Sequence, residues 1–161
     1  MDEAGFWSIV ERVHAASGGN MDRKCELLKQ ELSKLSKSEA ADFAAQFDDK
    51  MNRAYDWSVW GAAYVINGGC SDDSFQDFRA SLISRGRSAY ERAISAPDSL
   101  AGEQFDEESW FYEGYQYAVT DGVEATAGER PRLDIPETPA GEEWEEDDLG
   151  TRLPRLVAKH G

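Results

Sequence analysis

Six residues in the middle of the chain are of the types from which a small-molecule site is built: Asp56, Trp57, Trp60, Asp72, Asp73 and Arg79. Aromatic walls, a guanidinium and carboxylates would form a polar-floored pocket if the helices carrying them packed antiparallel about Gly68-Gly69, bringing Trp60 toward Arg79. The competing reading is structural, with the tryptophans in the core, Asp72 and Asp73 as capping residues, and Arg79 paired with a carboxylate. Asp72 and Asp73 are adjacent, and neighbouring helical side chains diverge by about 100°, so a shared proton or metal ion is not expected of them. Asp48-Asp49 has the same geometry, which a solvated face explains. Neither pair has the loop spacing that gathers several oxygen ligands around calcium.

A second group lies near the end of the chain, where Glu142, Glu143, Glu145, Glu146, Asp147 and Asp148 surround Trp144. Tryptophan is over-represented at interface hot spots, and charge around it steers an oppositely charged partner. Here too there is a plainer alternative: a solvated acidic run whose Trp144 is tucked into its own domain.

Other chemistries find no complete set of residues. Cys25 and Cys70, 45 positions apart, read as reduced core residues, and Cys25 sits on an apolar stripe where a thiol is usually inert. With only His14 and His160 beside them, no zinc site of ordinary spacing can be assembled. Gly18-Gly19-Asn20-Met21 lacks the Gly-Lys-Ser/Thr ending of a phosphate-binding loop. No catalytic residue, metal or cofactor is expected.

The charge is unevenly distributed. Of the net −15, residues 98–150 carry −15 from 17 Asp/Glu and 2 Lys/Arg, residues 1–97 carry −3, and residues 151–161 carry +3. Binding to nucleic-acid phosphates or to an anionic membrane surface needs clustered cations and is disfavoured. A basic protein partner is favoured, chiefly through faster encounter; simple solubility is the other reading. Met1–Trp7 has no basic region followed by an apolar run, and no stretch approaches the roughly 18 apolar residues of a membrane span. A cytoplasmic location is expected.

Helices must position these groups. Phe6, Ile9, Val10 and Val13, then Met21, Cys25, Leu28, Leu32 and Leu35, form two helical stripes joined at Ser17-Gly18-Gly19-Asn20, an antiparallel hairpin with Asn20 as N-cap. Ser36 or Ser38 caps a third segment whose apolar pattern runs on to Asn67-Gly68-Gly69, as one long helix or with a break near Asp56. Ser71-Asp72-Asp73 opens the next helix, Gly86 interrupts it, and a shorter run ends before Pro97. Glu107–Ala125, dense in aromatics, is read as helix rather than strand. After Gly128, Pro131, Pro136, Pro139 and Gly141 break regular structure. The fold expected is mainly α: a compact multi-helix domain over residues 1–128 and an extended acidic arm over 129–161, packed at least partly on the domain.

The stretch Trp60-Gly61-Ala62-Ala63-Tyr64-Val65-Ile66-Asn67-Gly68-Gly69-Cys70-Ser71-Asp72-Asp73-Ser74-Phe75-Gln76-Asp77-Phe78-Arg79, with Leu82–Arg87 and Pro97–Leu100, resembles the bacterial domain of unknown function numbered 4240. Phe6-Trp7 and Tyr117-Ala118-Val119 suit the same pattern, which would cover residues 5–128 and leave the acidic arm outside. Ser81 departs from it, standing where a tryptophan is expected before Leu82-Ile83. The resemblance implies a small bacterial cytoplasmic protein and brings no activity. Residue types and charge together suggest a protein-interaction module with a basic partner, of which immunity or antitoxin proteins are one kind. The alternative is a small-molecule-binding protein or enzyme with its pocket around Trp60 and Arg79.

Overall fold

A computed structural model describes all 161 residues. Helix α1 (Glu3–Ser17) begins at Asp2, whose carboxylate accepts the Gly5 N–H, and α2 (Met21–Ser33) begins at Asn20, whose amide oxygen accepts the Arg23 N–H at 2.8 Å. Each cap satisfies a backbone donor that the first helical turn leaves without a partner. Helix α3 (Lys37–Arg53) opens with a full capping box between Ser36 and Glu39. The long apolar pattern is then broken at Ala54–Asp56, because the Asp56 side chain caps a new helix, α4 (Trp57–Asn67), through the Ser58 and Val59 N–H groups.

Helix α5 (Asp72–Ile83) is capped by Ser71, α6 (Arg87–Ser95) follows Gly86, and a 3-10 turn spans Pro97–Gly102. The aromatic segment is two helices, α7 (Glu107–Trp110) and α8 (Gly114–Ala127), rather than one. Their break is held by Ser81, whose buried hydroxyl accepts the Tyr112 N–H at 3.0 Å. Ser81 thus fixes the α7–α8 link. Helix α8 packs along α2 and α3, and α1 packs on α2, around a single core containing Phe6, Phe43, Phe47, Phe78, Trp110 and Tyr115.

The segment after Gly128 is extended only as far as Glu145. From there it forms a 3-10 turn (Glu146–Asp148) and two short helices, α9 (Leu149–Arg152) and α10 (Pro154–His160). Arg130 ties its start to α8 through Asp121 (3.0 Å) and Glu124 (2.9 Å). Ala140 then exchanges backbone hydrogen bonds with Tyr55 and Trp57, making an isolated bridge beside Asp56, and the chain contains no strand. Leu149, Leu153 and Leu156 are buried against the domain. Gly61 permits this: a Cβ there would lie 3.0 Å from Trp144, 3.1 Å from Leu149 and 3.3 Å from Leu153. The extended arm expected over 129–161 is therefore folded back over its second half. Its leucines have apolar surface to remove from water, and α4 offers a face to cover.

Candidate functional site

The tryptophan cluster is a continuous stack of side chains. Trp57 lies on Trp60 with ring centroids 5.4 Å apart and planes within 8°, and Trp60 lies on Phe75 at 5.0 Å and 14°. The Arg79 guanidinium carbon follows, 4.7 Å from the Phe75 centroid and 4.5 Å from that of Tyr55. Arg79 is 4% exposed and donates to the Met51 carbonyl; burial lowers its pKa to about 10, opposed by the attraction of Asp72. Trp60 Nε1 donates to the Cys70 carbonyl at 2.9 Å. Trp60 and Arg79 therefore share Phe75 between them, and none of the main cavities opens on Trp57, Trp60 or Arg79. Of the carboxylates, Asp56 caps α4, Asp72 accepts the Tyr55 hydroxyl at 3.3 Å, and Asp73 faces a different part of the surface.

That part is a groove of about 640 Å³ between α5 and α8, lined by Asp73, Asp77, Glu113, Tyr117, Gln76 and Gln116, with Arg130, Pro131 and Leu133 also in its wall. Asp73 and Asp77 stand four residues apart on α5, and Glu113 and Tyr117 four apart at the start of α8, so each pair shares a helical face. Gln76 donates to Gln116 at 2.7 Å, and Gln116 donates to Asp77 at 2.8 Å. Tyr117, about half exposed, donates its hydroxyl to Glu113. The carboxylates of Asp73, Asp77 and Glu113 make no ion pair, since Arg130 is held by Asp121 and Glu124. Partial burial, then Glu113 and Asp73, push Asp77 up from 3.8 to about 6, against the opposing Gln116 hydrogen bond. No three His, Cys, Asp or Glu side chains anywhere in the chain are gathered closely enough to hold a metal ion. The groove spreads its negative charge along a wall.

Sequence reading singled out Asp73 and passed over Asp77, Glu113 and Tyr117. The i, i+4 spacing of like charges, which costs a helix a few tenths of a kcal/mol, was the available signal. A measurable consequence follows for Asp77. Its folded pKa lies above its unfolded one, so the native state binds more protons between about pH 4 and pH 6, and stability falls as pH rises through that window. Asp77→Asn is expected to raise stability by about 1 kcal/mol at neutral pH, a figure reduced for solvent screening, and by nothing near pH 4. Urea titrations at the two pH values check this; an equal gain at both would show that Asp77 is not strained by its charge.

The arm presents its carboxylates differently. Trp144 is half-buried and turned inward: its Nε1 donates to the Trp57 carbonyl at 2.6 Å, and its ring meets Trp57 edge-on at 6.0 Å and Tyr64 at 5.1 Å. Around it Glu142, Glu143, Glu145, Glu146, Asp147 and Asp148 are all exposed, and none makes an ion pair. Their few contacts are hydrogen bonds, with Glu146 accepting from the Tyr64 hydroxyl at 3.1 Å and Asp148 from the Glu145 N–H. Arg152, the nearest cation in sequence, donates instead to the Glu142 carbonyl (2.9 Å) and the Ser58 hydroxyl (3.0 Å).

Cys25 and Cys70 are both free and half-buried, and burial pushes both thiols up, Cys70 to about 12, so neither is an activated nucleophile. No helix is long and apolar enough to cross a membrane. Residues 1–124 match the family model described as "Protein of unknown function (DUF4240)", so the chain belongs to that family. No curated protein and no solved structure matches it.

Proposed function

We propose that this family member is a protein-interaction module that binds a basic protein partner. The observation that carries the reading is that the exposed carboxylates of the arm, and those of the α5–α8 groove, have no cation of their own. Several other surface carboxylates are paired: Glu31 with Arg12, Glu91 with Arg87, Glu103 with Arg92, Asp121 and Glu124 with Arg130. Unpaired carboxylates on a fixed surface raise the encounter rate with a cationic protein and gain direct partners in the complex. In this reading Trp144 is not the residue that enters the partner. It anchors the arm to α4, so that the six acidic side chains are displayed without a large ordering cost on binding. Tyr117, exposed beside Glu113 and Asp77, supplies an aromatic contact for an incoming arginine or lysine.

The small-molecule alternative would need space at Trp60 and Arg79, which Phe75 and Tyr55 fill. The basic-partner reading is tested with an arginine-rich peptide and its citrulline analogue as probes, comparing variants of equal charge change. Neutralising Asp73, Asp77 and Glu113, or Glu142, Glu143 and Glu145, is expected to weaken the arginine peptide about tenfold and to flatten its salt dependence. Neutralising Glu26, Glu107 and Glu129 serves as the control. An equal loss in the control would mean that net charge alone is being read, and the proposal would fall.

A further inference from the structure

Asp and Glu outnumber Lys and Arg by 32 to 17, yet Lys24 and Arg85, like Arg79, are poorly exposed cations that form no ion pair. Lys24 on α2 is 2% exposed, and its ammonium donates only to the carbonyl (3.3 Å) and hydroxyl (3.1 Å) of Ser84. Arg85, the next residue along, is half-buried with its guanidinium carbon 3.7 Å from the Trp110 ring centroid, and its buried Nε has no acceptor. His14, on the last turn of α1, likewise has a buried Nδ1 without an acceptor. The contrast is Lys50, as deeply buried, which reaches Asp49 at 3.0 Å and Glu3 at 3.6 Å.

The three groups come from three helices or their ends and act on one another. Burial, then Lys24 and Arg85, lowers the pKa of His14; burial, then Arg85, lowers that of Lys24 to about 8. A guanidinium without a carboxylate or an acceptor for its Nε, backed by a buried ammonium, is the electrostatic complement of an anion.

The corner also has an opening. A cavity of about 490 Å³ is lined by Glu11, Arg85, Gly86, Arg87, Ser88 and Glu91. Both of its carboxylates are already engaged: Glu11 accepts the Arg87 N–H at 3.1 Å, and Glu91 accepts from Arg87 Nε at 3.1 Å. Glu103 and Asp106 attract Arg85 only through space, without forming an ion pair with it. The first N–H of α6 is already taken by the Glu11 carboxylate, which leaves the Arg85 guanidinium as the unpaired donor at the opening.

We propose that the α5–α6 corner is a phosphoryl-binding site, with Arg85 as the direct ligand, Ser88 on the rim, and Lys24 adding positive charge through space. The planar guanidinium suits two oxygens of a phosphoryl group, and a dianion offers acceptors that a single carboxylate cannot. The cavity is roomier than a phosphate alone, which favours a small phosphate monoester over the free ion.

The test uses the full chain with inorganic phosphate and phenyl phosphate as separate probes, at ionic strength balanced with sodium chloride. Expected are a saturable rise in melting temperature and amide shifts at Gly86 and Ser88, with phenyl phosphate binding more tightly than inorganic phosphate. Arg85→Lys should weaken binding about tenfold by losing the two-pronged contact, and Arg85→Gln should abolish it. Arg155→Gln, on the arm, should leave it unchanged. Lys24→Met, a second variant that keeps Arg85 in place, should weaken binding without unfolding the chain. The site is rejected if neither probe gives a saturable response, or if Arg85→Lys and Lys24→Met both bind as the parent does. Tighter binding of inorganic phosphate would leave the site in place and assign it to the free ion.

Discussion

Ending the chain after Gly128 is expected to remove most of its stability, although the family match stops at residue 124. Leu149, Leu153 and Leu156 are 4%, 3% and 0% exposed, and each fully buried leucine contributes about 2 kcal/mol. The three together come to about 6 kcal/mol, an upper figure because an unfolded chain already buries some of this surface. A domain of this size has only about 5–15 kcal/mol in hand. The truncation also strips α4 of its cover, exposing Gly61 and the Trp57 face, and leaves Asp98 without the Arg155 and Leu156 N–H groups it now accepts at 3.1 and 2.9 Å. Leu156→Ala alone is expected to cost about 3 kcal/mol, since α10 cannot collapse into the space left. Urea unfolding followed by circular dichroism measures both. A truncated chain that unfolds cooperatively at the parent's midpoint would show that the arm rests on the domain without supporting it.

This dependence bears on function. Lys159 donates to the carbonyls of Ala101 (2.8 Å) and Glu103 (2.6 Å), and His160 meets Phe105 edge-on, so the arm is secured at its far end as well as at Arg130 and Trp144. A segment fixed at several points presents its carboxylates in one arrangement. On the proposed reading, a basic partner would meet a surface whose geometry is set before contact, and affinity would not be spent on ordering a tail.

The helix ends were the most legible part of the sequence, because capping is local. Asn20, Ser36 and Ser71 each act within three residues of their own position, and Gly68 closes α4 where a left-handed conformation is needed. The break near Asp56 could be anticipated but not chosen over a continuous helix, since apolar periodicity runs through it. The split of the aromatic segment at Phe111–Glu113 was hidden, because it depends on the Ser81 hydroxyl, 31 residues away. The same reason separates the two views of Trp60 and Arg79. Spacing can bring them to one side of a helical pair, but only the tertiary placement of Phe75 and Tyr55 determines that the space between them is filled. The groove was missed for a related cause: Asp77 and Glu113 carry no signal individually, and their proximity is a product of α5 lying against α8.

Lys24→Met is expected to make the protein more stable, by about 1–2 kcal/mol at pH 7. The ammonium of Lys24 loses its hydration on folding and gains only the two oxygens of Ser84, neither of them charged. Methionine fills a similar volume without that penalty. The Ser84 hydroxyl is not orphaned by the change, since it donates to the Ser81 carbonyl at 2.6 Å, though its own carbonyl loses a partner, which trims the gain. The pH dependence separates this explanation from simple packing. With a folded pKa near 8 and an ordinary value of 10.5, native Lys24 releases its proton first, so the unfolded chain binds more protons across that interval. The parent's stability therefore rises from about pH 8 toward pH 10, and the advantage of the variant shrinks over the same range. Above about pH 10 the buried phenols of Tyr90 and Tyr115, both pushed up by burial, act in the opposite direction in parent and variant alike. A gain that stayed constant from pH 7 to pH 10 would attribute the effect to packing. A gain that declines, together with weaker phosphate binding in the same variant, would mean that the cation which costs the fold stability is kept in place for an anion.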